Sequence, residues 1–348
     1  MRTKKDMIGS WLLEDNRHHL ESLWKQADDI RRESTESAVH LRGLIEFSNE
    51  CVRSCTYCGL RCQNRCLPRY RMTLPHIMAC AEIAHAKGYG SVVLQSGEDQ
   101  RVSAEWIGEI IRQIKDTYPL AVTLSVGERP VEDYRLWREK GADRYLLRFE
   151  TSDDTLYRRL HPHDRSGLRR RIELLHVLRA LGYEIGSGNI VGLPGQSFMS
   201  LAEDILIFSS LDLDMIGIGP YIPHPDTPLG REDIDFCQKD NRQVPNSDIM
   251  ARKVLAITRL VCPEANIPVT TAFATANTNG YEIGLHTGAN VIMPALTPPD
   301  YRKLYDIYPS PARKMEEGVH ERIMTAIYAA GRKPGCGPGN RSRKSAVQ

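Results

Sequence analysis

The chain has 348 residues, of which 41% are apolar and 26% are charged, and its 46 basic and 44 acidic residues leave a formal net charge of +2 at pH 7. This composition excludes a disordered chain, and the balanced charge argues against a protein that binds nucleic acid or an anionic membrane surface. The length fits a single α/β barrel as well as two smaller domains, and a small-molecule substrate is the default expectation.

The cysteines and the first residues of the chain indicate the compartment. The nine cysteines lack the even spacing of a disulfide framework, and residues 1–16 lack an apolar segment of signal-peptide length. The longest apolar runs are also much shorter than a transmembrane span. We therefore expect a cytoplasmic protein.

Residues 1–40 predict an N-terminal helical extension. Apolar side chains recur near helical spacing from Trp11 to Ile30, and a polar Ser/Thr patch follows at 34–37. We expect one or two helices here, packed against the outside or the end of the following domain.

Eight short apolar runs follow, and each ends in polar or glycine residues. They lie at 41–47, 91–94, 121–124, 144–147, 184–190, 215–218, 267–269 and 290–293. Helical patterns separate them, for example at 77–87, 104–117, 171–181, 201–209 and 249–260. This alternation predicts an α/β fold, a (β/α)8 TIM barrel spanning 41–330, followed by a basic, flexible tail at 331–348. Barrel active sites form at the carboxyl ends of the strands, so the polar clusters there favour an enzyme.

Three cysteines, Cys51, Cys55 and Cys58, follow the first predicted strand within eight residues. An iron–sulfur cube normally takes four thiolates, so a C-x3-C-x2-C loop leaves one iron open for another ligand. Structural zinc sites usually use two separated cysteine pairs, which this chain does not offer at that distance. Cys62 and Cys66 are interpreted as ordinary thiols or as an accessory redox pair.

The cysteine spacing, with Tyr57 before the last cysteine, resembles the motif of the radical S-adenosylmethionine (SAM) superfamily. Members of that superfamily bind the amino and carboxylate groups of SAM on the free iron of the cube. Further motifs over roughly residues 40–335 resemble the HydE family of [FeFe]-hydrogenase maturases. These motifs are Arg69–Met72, Leu94–Asp99, Arg144–Thr151 and Gly217–Pro225. They distinguish the chain from the related biotin synthases and methylornithine synthases, which share the barrel.

The resemblance implies which residues bind the cofactors. Cys51, Cys55 and Cys58 would hold one [4Fe-4S] cluster, and Tyr57 would offer backbone groups to the adenine. The other SAM-binding residues would be Gln95, Ser96 and Glu98 near the methionyl amino group, Thr123 and Ser125 on the third strand, Glu150 at the ribose or amino group, Arg171 at the carboxylate, and Gly188, Ile190 and Gly192 at the adenine. Because Arg171 ends a run of three arginines, it is equally compatible with a solvated helix face.

The resemblance also implies a substrate cavity on the opposite side of SAM. The residues facing it would be Thr270, Thr271, Met293, Tyr301 and Tyr305. The two tyrosines lie at helical spacing, which is also typical of packing residues. Some family members carry a second cluster after the last strand, but residues 308–327 contain no cysteine, so one cluster is predicted.

The implied function is a radical reaction. The enzyme would generate a 5′-deoxyadenosyl radical and process an iron–carbonyl–cyanide–cysteine precursor during assembly of the diiron subcluster of the [FeFe]-hydrogenase H-cluster. Its partners would be a small organometallic or amino-acid-like substrate and, transiently, other hydrogenase maturases. A rearrangement similar to that of methylornithine synthase is the alternative within the superfamily. A non-enzymatic iron–sulfur or zinc sensor is a further alternative, although it leaves the predicted pocket residues on the other strands unexplained.

Overall fold

The computed structural model describes residues 3–35, 37–231, 243–276, 279–309 and 318–342. Its strands are β1 Ala38–Ser48, β2 Ser91–Ser96, β3 Ala121–Ser125, β4 Arg144–Leu146, β5 Glu184–Val191, β6 Met215–Pro220, β7 Pro268–Val269, β8 Val291–Ile292 and β9 Lys333–Pro334. Its helices are α1 Lys4–Leu13, α2 Arg17–Thr35, α3 Leu74–Ala86, α4 Ala104–Thr117, α5 Val131–Glu139, α6 Asp154–Leu160, α7 Gly167–Ala180, α8 Phe198–Ser210, α9 Asp248–Val261, α10 Thr271–Ala276, α11 Gly280–Leu285, α12 Pro299–Arg302 and α13 Val319–Ala329. Within these described ranges, every helix is too short or too polar to cross a bilayer.

The first eight strands form a nearly closed parallel barrel. They pair in the order β6-β5-β4-β3-β2-β1-β8-β7. The gap between β6 and β7, the two ends of this order, is bridged where Met215 of β6 pairs with Asn266, just before β7. There the Ile216 amide donates to the Asn266 carbonyl at 3.0 Å. The predicted (β/α)8 barrel with N-terminal helices is thus confirmed.

Side chains alternate between the lumen and the helix layer along the barrel strands. On β2 and β3, Val93 and Thr123 point into a central cavity, while Val92, Leu94 and Val122 belong to the apolar core beneath the helices. This two-residue period follows from the pleat of a β-strand. It brings polar side chains at the strand ends to the top of the lumen.

The helices cover the outside of the barrel with one apolar face each. In α4, the buried Ile107, Ile111 and Ile114 recur at helical spacing. Ser103 caps its first turn by accepting from the Trp106 amide at 3.2 Å. The helix ends before Pro119, whose ring disfavours a helical conformation in the residue before it.

The N-terminal extension packs on one side of the barrel, where α1 contacts α8 and α9, and α2 contacts α9. Leu12 and Leu23 are fully buried there. The ammonium group of Lys253 in α9 donates to the Leu12 carbonyl at 3.1 Å. β1 begins at Ala38, three residues earlier than predicted, because its first residues pair with β8 and β9.

The C-terminal residues up to Ser342 cross the amino-terminal end of the barrel, which differs from the flexible tail that their composition predicts. β9 pairs with the start of β1. The Gly339 carbonyl then accepts from the Arg42 guanidinium at 3.1 Å, and the Pro338 carbonyl accepts from Arg144 at 2.7 Å. Since both arginines are buried, the tail carbonyls satisfy donors that would otherwise lack water and partners. This part of the tail therefore forms the floor of the barrel.

Candidate active site

The three predicted cluster ligands lie together on the loop after β1. The sulfur of Cys51 accepts from the backbone amides of Arg53 and Glu98, each at 3.4 Å. Burial raises the pKa of the Cys55 thiol to about 12, and the neighbouring Cys51 adds to this increase. Buried thiols of this kind ionise when they bind a metal, which deprotonates its thiol ligands.

The three thiols lie close enough to affect one another's ionisation, since the charges of Cys55 and Cys51 add to the burial that raises the pKa of Cys58. In an iron–sulfur cube each cysteine binds a different iron, so three thiolates leave the fourth iron open. Amide donors such as those on Cys51 are a recognised means of tuning such a cluster. The residues present therefore fit a cube with one open iron.

The Arg69 side chain holds the backbone of the cluster loop in place. Its guanidinium donates to four backbone carbonyls at 2.6–3.1 Å, those of Asn49, Leu60, Arg61 and Asn64. Gly97 contacts the loop on the other side, where an added Cβ would lie 2.2 Å from the Glu50 carbonyl oxygen. Only glycine therefore allows β2 to approach the loop this closely.

Arg53, inside the cysteine motif, joins three carboxylates from three different segments. Its Nε lies 2.8 Å from Glu98, and its two terminal nitrogens lie 3.3 Å from Glu128 and from Asp164. The second oxygen of Glu98 accepts from the Glu128 amide at 3.0 Å. The carboxylate of Glu98, which we expected near the methionyl amino group of SAM, is thus held by the cluster loop and the β3 end.

Glu150 and Arg171 approach the cluster loop from β4 and α7. Glu150 has a left-handed backbone with φ of 65°, and its carboxylate lies 3.2 Å from Arg148. Burial raises the pKa of Glu150 above its usual value, and the charges of Arg148 and Arg171 oppose this increase. Arg171 is buried, not solvated, and its Nε donates to Glu128 at 2.9 Å. Arg171 also donates to the Arg148 carbonyl at 3.0 Å, so Glu150 and Arg171 both contact Arg148 just after β4.

Tyr57 and Ile190 meet in a small apolar cluster above the barrel. They pack against Leu156, Leu160, Leu193, Tyr221 and Leu229. The Tyr57 hydroxyl lies 3.1 Å from His161 Nε2. Burial lowers the pKa of His161 to about 3, so this ring is neutral. The cluster presents an apolar surface of the kind that an adenine ring would cover.

The predicted glycines of this region lie on β5 and just after it. A Cβ on Gly188 would lie 2.0 Å from the Gly217 carbonyl oxygen on β6, so the two strands pack too closely for any side chain there. Gly192 donates its amide to Gln196 at 2.8 Å. Among the remaining predicted SAM residues, Ser96 donates its hydroxyl to the adjacent Gly97 carbonyl at 2.6 Å.

The barrel lumen holds a cavity of about 840 Å³. Six predicted site residues line it, namely Gln95, Thr123, Ser125, Thr270, Thr271 and Met293. The hydroxyl of Thr123 and the Nε of Arg148, which also lines the cavity, are buried and have no hydrogen-bond partner among the described residues. The same holds for the Nε atoms of Arg42 and Arg302, so the cavity wall carries several buried donors without a described acceptor.

The two predicted tyrosines occupy different places. Tyr305 is buried behind the cavity wall, and its hydroxyl accepts from Gln95 at 3.2 Å. Neither tyrosine is among the residues that line the cavity, which differs from the expectation for both. The Tyr301 ring packs on Tyr70 with centroids 4.9 Å apart, and its hydroxyl lies 3.0 Å from His76 Nδ1. Tyr301 is thus a packing residue between the cluster-loop exit and α3.

Several site residues escaped the sequence analysis, above all Arg53, Glu128 and Arg148. Arg148 lies within the Arg144–Thr151 motif and Arg53 lies between two cluster cysteines, so each had a positional signal. Glu128 follows the third strand, where barrel sites form, but nothing in the sequence indicated its contacts with Arg53 and Arg171 from distant parts of the chain.

Comparison with known proteins identifies the family of this chain. The family model "Radical SAM superfamily" matches residues 45–206. The chain is 44% identical over 342 residues to the [FeFe] hydrogenase maturase subunit HydE of Thermotoga maritima, covering 97% of this chain and 94% of that protein. It is 27% identical over 289 residues to the 3-methylornithine synthase of Methanosarcina acetivorans, covering 82% and 78%. The crystal structure of methylornithine synthase (PylB) has the same fold, with a TM-score of 0.81 at 24% identity over 96% of this chain and 94% of that one.

Proposed function

Since this chain belongs to the HydE family of [FeFe]-hydrogenase maturases, within the radical SAM superfamily, we propose that its reaction takes place inside the barrel, between the cluster loop and the central cavity. The enzyme class and the cofactors, one [4Fe-4S] cluster and SAM, are those of the family. The observation that carries the placement is a set of contacts between the loop and the cavity: Arg148 lines a lumen of about 840 Å³ and lies 3.2 Å from Glu150, while Arg53 of the cysteine motif and Arg171 share Glu128.

The side chains have separate tasks in this proposal. Cys51, Cys55 and Cys58 hold the cube, while Arg53 and Arg69 keep the loop in one geometry. When bound, the reduced cube and SAM supply a 5′-deoxyadenosyl radical. Glu150 and Arg171 supply a carboxylate and a guanidinium fork, which match the ammonium and carboxylate of an amino acid.

Tyr57, Ile190 and the apolar cluster around them cover the adenine and exclude water from the top of the barrel. Below them, the unpartnered donors on Thr123 and Arg148 bind the substrate. Such donors suit cyanide nitrogen or a carboxylate, since a buried donor without a partner costs free energy until a ligand accepts from it. This chemistry fits an iron–carbonyl–cyanide–cysteine precursor of the diiron subcluster. Thr270 and Thr271 add hydroxyls to the same wall.

The proposal also covers partners and location. The protein works in the cytoplasm and meets the other hydrogenase maturases transiently when it receives its substrate or passes on its product. The alternative within the superfamily is a rearrangement of an amino acid on the same barrel.

The experiment combines a chemical and a cellular assay. Anaerobically reconstituted protein with SAM and dithionite should release 5′-deoxyadenosine, and its gene should restore hydrogen evolution to a strain lacking the HydE-type maturase. Cys55→Ala should fail in both assays, whereas Cys62→Ala should pass both. Release of 5′-deoxyadenosine without rescue would favour the rearrangement, and the absence of both from cluster-loaded protein would favour a metal sensor.

A further inference from the structure

Asp204 is a buried carboxylate beside the site that has no role in the proposed reaction. It lies on the buried face of α8 with Leu201, Ile205 and Phe208, and none of its surface is exposed. An aspartate in such surroundings loses its hydration, so its burial is costly unless other groups compensate it. Among the described residues, its side chain contacts hydrogen-bond donors only and forms no ion pair with a Lys, Arg or His. These donors therefore indicate what the acid does at this position.

Both oxygens of Asp204 accept from segments that flank Glu150. Its Oδ1 accepts from the Ser152 amide at 2.6 Å, two residues after Glu150. Its Oδ2 accepts from the side-chain amide of Asn189 at 3.0 Å, and Asn189 is the β5 residue that pairs with Glu150 in an isolated bridge. The Ser152 hydroxyl adds a further contact with α8, because it donates to the Ser200 carbonyl at 3.1 Å. Helix α8 thus holds the chain on both sides of Glu150.

Glu150 depends on such support because its backbone conformation is unfavourable. Its φ of 65° lies in the left-handed region, which is disfavoured for every residue with a Cβ. The Glu150 amide donates to the Gly188 carbonyl at 3.0 Å, and the Glu150 carbonyl accepts from the Ile190 amide at 3.1 Å. Strain of this kind persists only where the surrounding contacts over-determine the backbone. The two bonds to β5 hold Glu150 itself, and the contacts of Asp204 fix the turn that follows it.

The Glu150 carboxylate has few contacts of its own. Its Oε2 atom lies 3.2 Å from Arg148, yet this atom is buried and accepts no hydrogen bond from a described residue. The direction of the carboxylate is therefore set by its backbone more than by its partners. The Asn189 carbonyl accepts from the Arg148 guanidinium, so the β5 residue that Asp204 holds also secures this arginine.

We propose that Asp204 is a positioning residue, which holds Glu150 in the conformation in which the Glu150 carboxylate binds SAM. This inference rests on the proposed function, which assigns Glu150 to the ammonium group of SAM. Asp204 itself touches neither cofactor nor substrate, and it acts through the Ser152 amide and the Asn189 side chain. When its two contacts are lost, Glu150 relaxes to an ordinary backbone conformation and its carboxylate turns away from SAM.

The test measures SAM affinity by anaerobic calorimetry on cluster-loaded protein. Asp204→Ala removes both contacts and should weaken binding roughly five- to thirtyfold, the factor by which the left-handed conformation is disfavoured. Asp204→Asn is the conservative variant and should stay within about threefold of the wild type. Its side chain still accepts from the Ser152 amide and can donate to a rotated Asn189 amide, because the Asn189 Oδ1 is buried without a described partner.

Asp143→Ala is the matched control. Asp143 also accepts from a backbone amide, that of Val122 at 2.7 Å, but it directly precedes β4 at the amino-terminal end of the barrel. Its replacement should lower the melting temperature and leave SAM affinity within about twofold of the wild type. If Asp204→Ala does not fold, Asn189→Ala removes one of the two contacts and replaces it in every measurement.

A double-mutant cycle with Glu150→Gln separates positioning from general destabilisation. Because Asp204 acts through Glu150, Asp204→Ala should weaken SAM binding by less than about twofold once Glu150 is already replaced. An equal loss in both backgrounds would overturn the positioning role, as would wild-type affinity in Asp204→Ala beside a weakened Glu150→Gln. Unchanged affinity in Glu150→Gln would instead count against the proposed function, because it would remove Glu150 from the SAM pocket. Any loss in Asp204→Ala would then arise by another route, and the positioning role would be overturned with it.

Discussion

Replacing Arg53 with methionine should destabilise the protein more than any single surface ion pair could. The substitution keeps an unbranched side chain of similar length but removes the charge that Glu98, Glu128 and Asp164 share at 2.8–3.3 Å. The side chains of these three acids are only 6%, 10% and 4% exposed. Water therefore cannot replace the guanidinium, and buried negative charge is left uncompensated.

Removing one partner of a buried ion pair costs about 3–5 kcal/mol. We expect the lower end, about 3 kcal/mol, because Arg53 is itself 23% exposed and Glu128 keeps Arg171 at 2.9 Å. With an unfolding entropy of about 2.1 cal/mol/K per residue, a chain of 348 residues shifts by about 1.4 °C per kcal/mol, so the melting temperature should fall by about 4 °C. Arg53→Lys should lie between the variant and the wild type, since a single ammonium cannot reach three carboxylates at once.

Thermal unfolding of the cluster-free proteins, followed by circular dichroism, measures this effect without a contribution from cluster loss. Arg17→Met is the matched control, because Arg17 is 91% exposed and, among the described residues, pairs only with Glu21, so it should change stability by less than about 1 kcal/mol. A melting temperature for Arg53→Met within 2 °C of the wild type would refute the view that this arginine holds the loop to β2, β3 and the α6–α7 connection.

Three further predictions concern the cluster, the cofactor and pH. The double variant Cys62→Ala and Cys66→Ala should still bind about four irons per chain after reconstitution, because three other thiols are the predicted ligands; an iron analysis near zero would contradict this. Glu150→Gln should weaken SAM binding about ten- to hundredfold, the effect of losing a charge-assisted contact of about 1.5–3 kcal/mol, and calorimetry on cluster-loaded protein that found unchanged affinity would remove Glu150 from the pocket. Burial raises the pKa of Asp204 from 3.8 to about 7, so between these values the folded chain keeps a proton that the unfolded chain has released. The free energy of unfolding should therefore decrease as pH rises from 4 to 7, by up to about 4 kcal/mol, and denaturant titrations of Asp204→Asn should lack this slope if the assignment is correct.

The strands and the outer helices were predictable because their signals are local. α4 was predicted at 104–117 and observed with the same bounds, since a serine cap, an isoleucine face and a following proline all act within one or two turns. The cluster loop was equally visible, because its three thiols are adjacent in the chain. Local residue propensity and hydrophobic period were sufficient to predict an element wherever its interacting groups were near in sequence.

Residues with identical local patterns nevertheless took different places. Tyr301 and Tyr305 share a helical spacing, yet one packs on the outside against Tyr70 and the other is buried behind Gln95. Arg171 has the same neighbours as a solvated arginine run, but α7 turns it inward to Glu128. The sequence carried no signal for these choices, since each depends on which remote element lies opposite.

By itself, the sequence determined the α/β class, the eightfold strand–helix alternation and the cysteine loop, because hydrophobic period and thiol spacing are properties of short stretches. Only the tertiary structure decided which residues close the amino-terminal end of the barrel and which side chains hold the cluster loop. The glycine-rich residues before Ser342 have the composition of a flexible tail, but the buried donors of Arg42 and Arg144 hold them across the barrel. Likewise, Arg53 joins three carboxylates that are 45, 75 and 111 residues away in the chain. Buried charges and donors must find partners wherever the folded chain supplies them, and those partners are set by the closure of the barrel, not by neighbours in sequence.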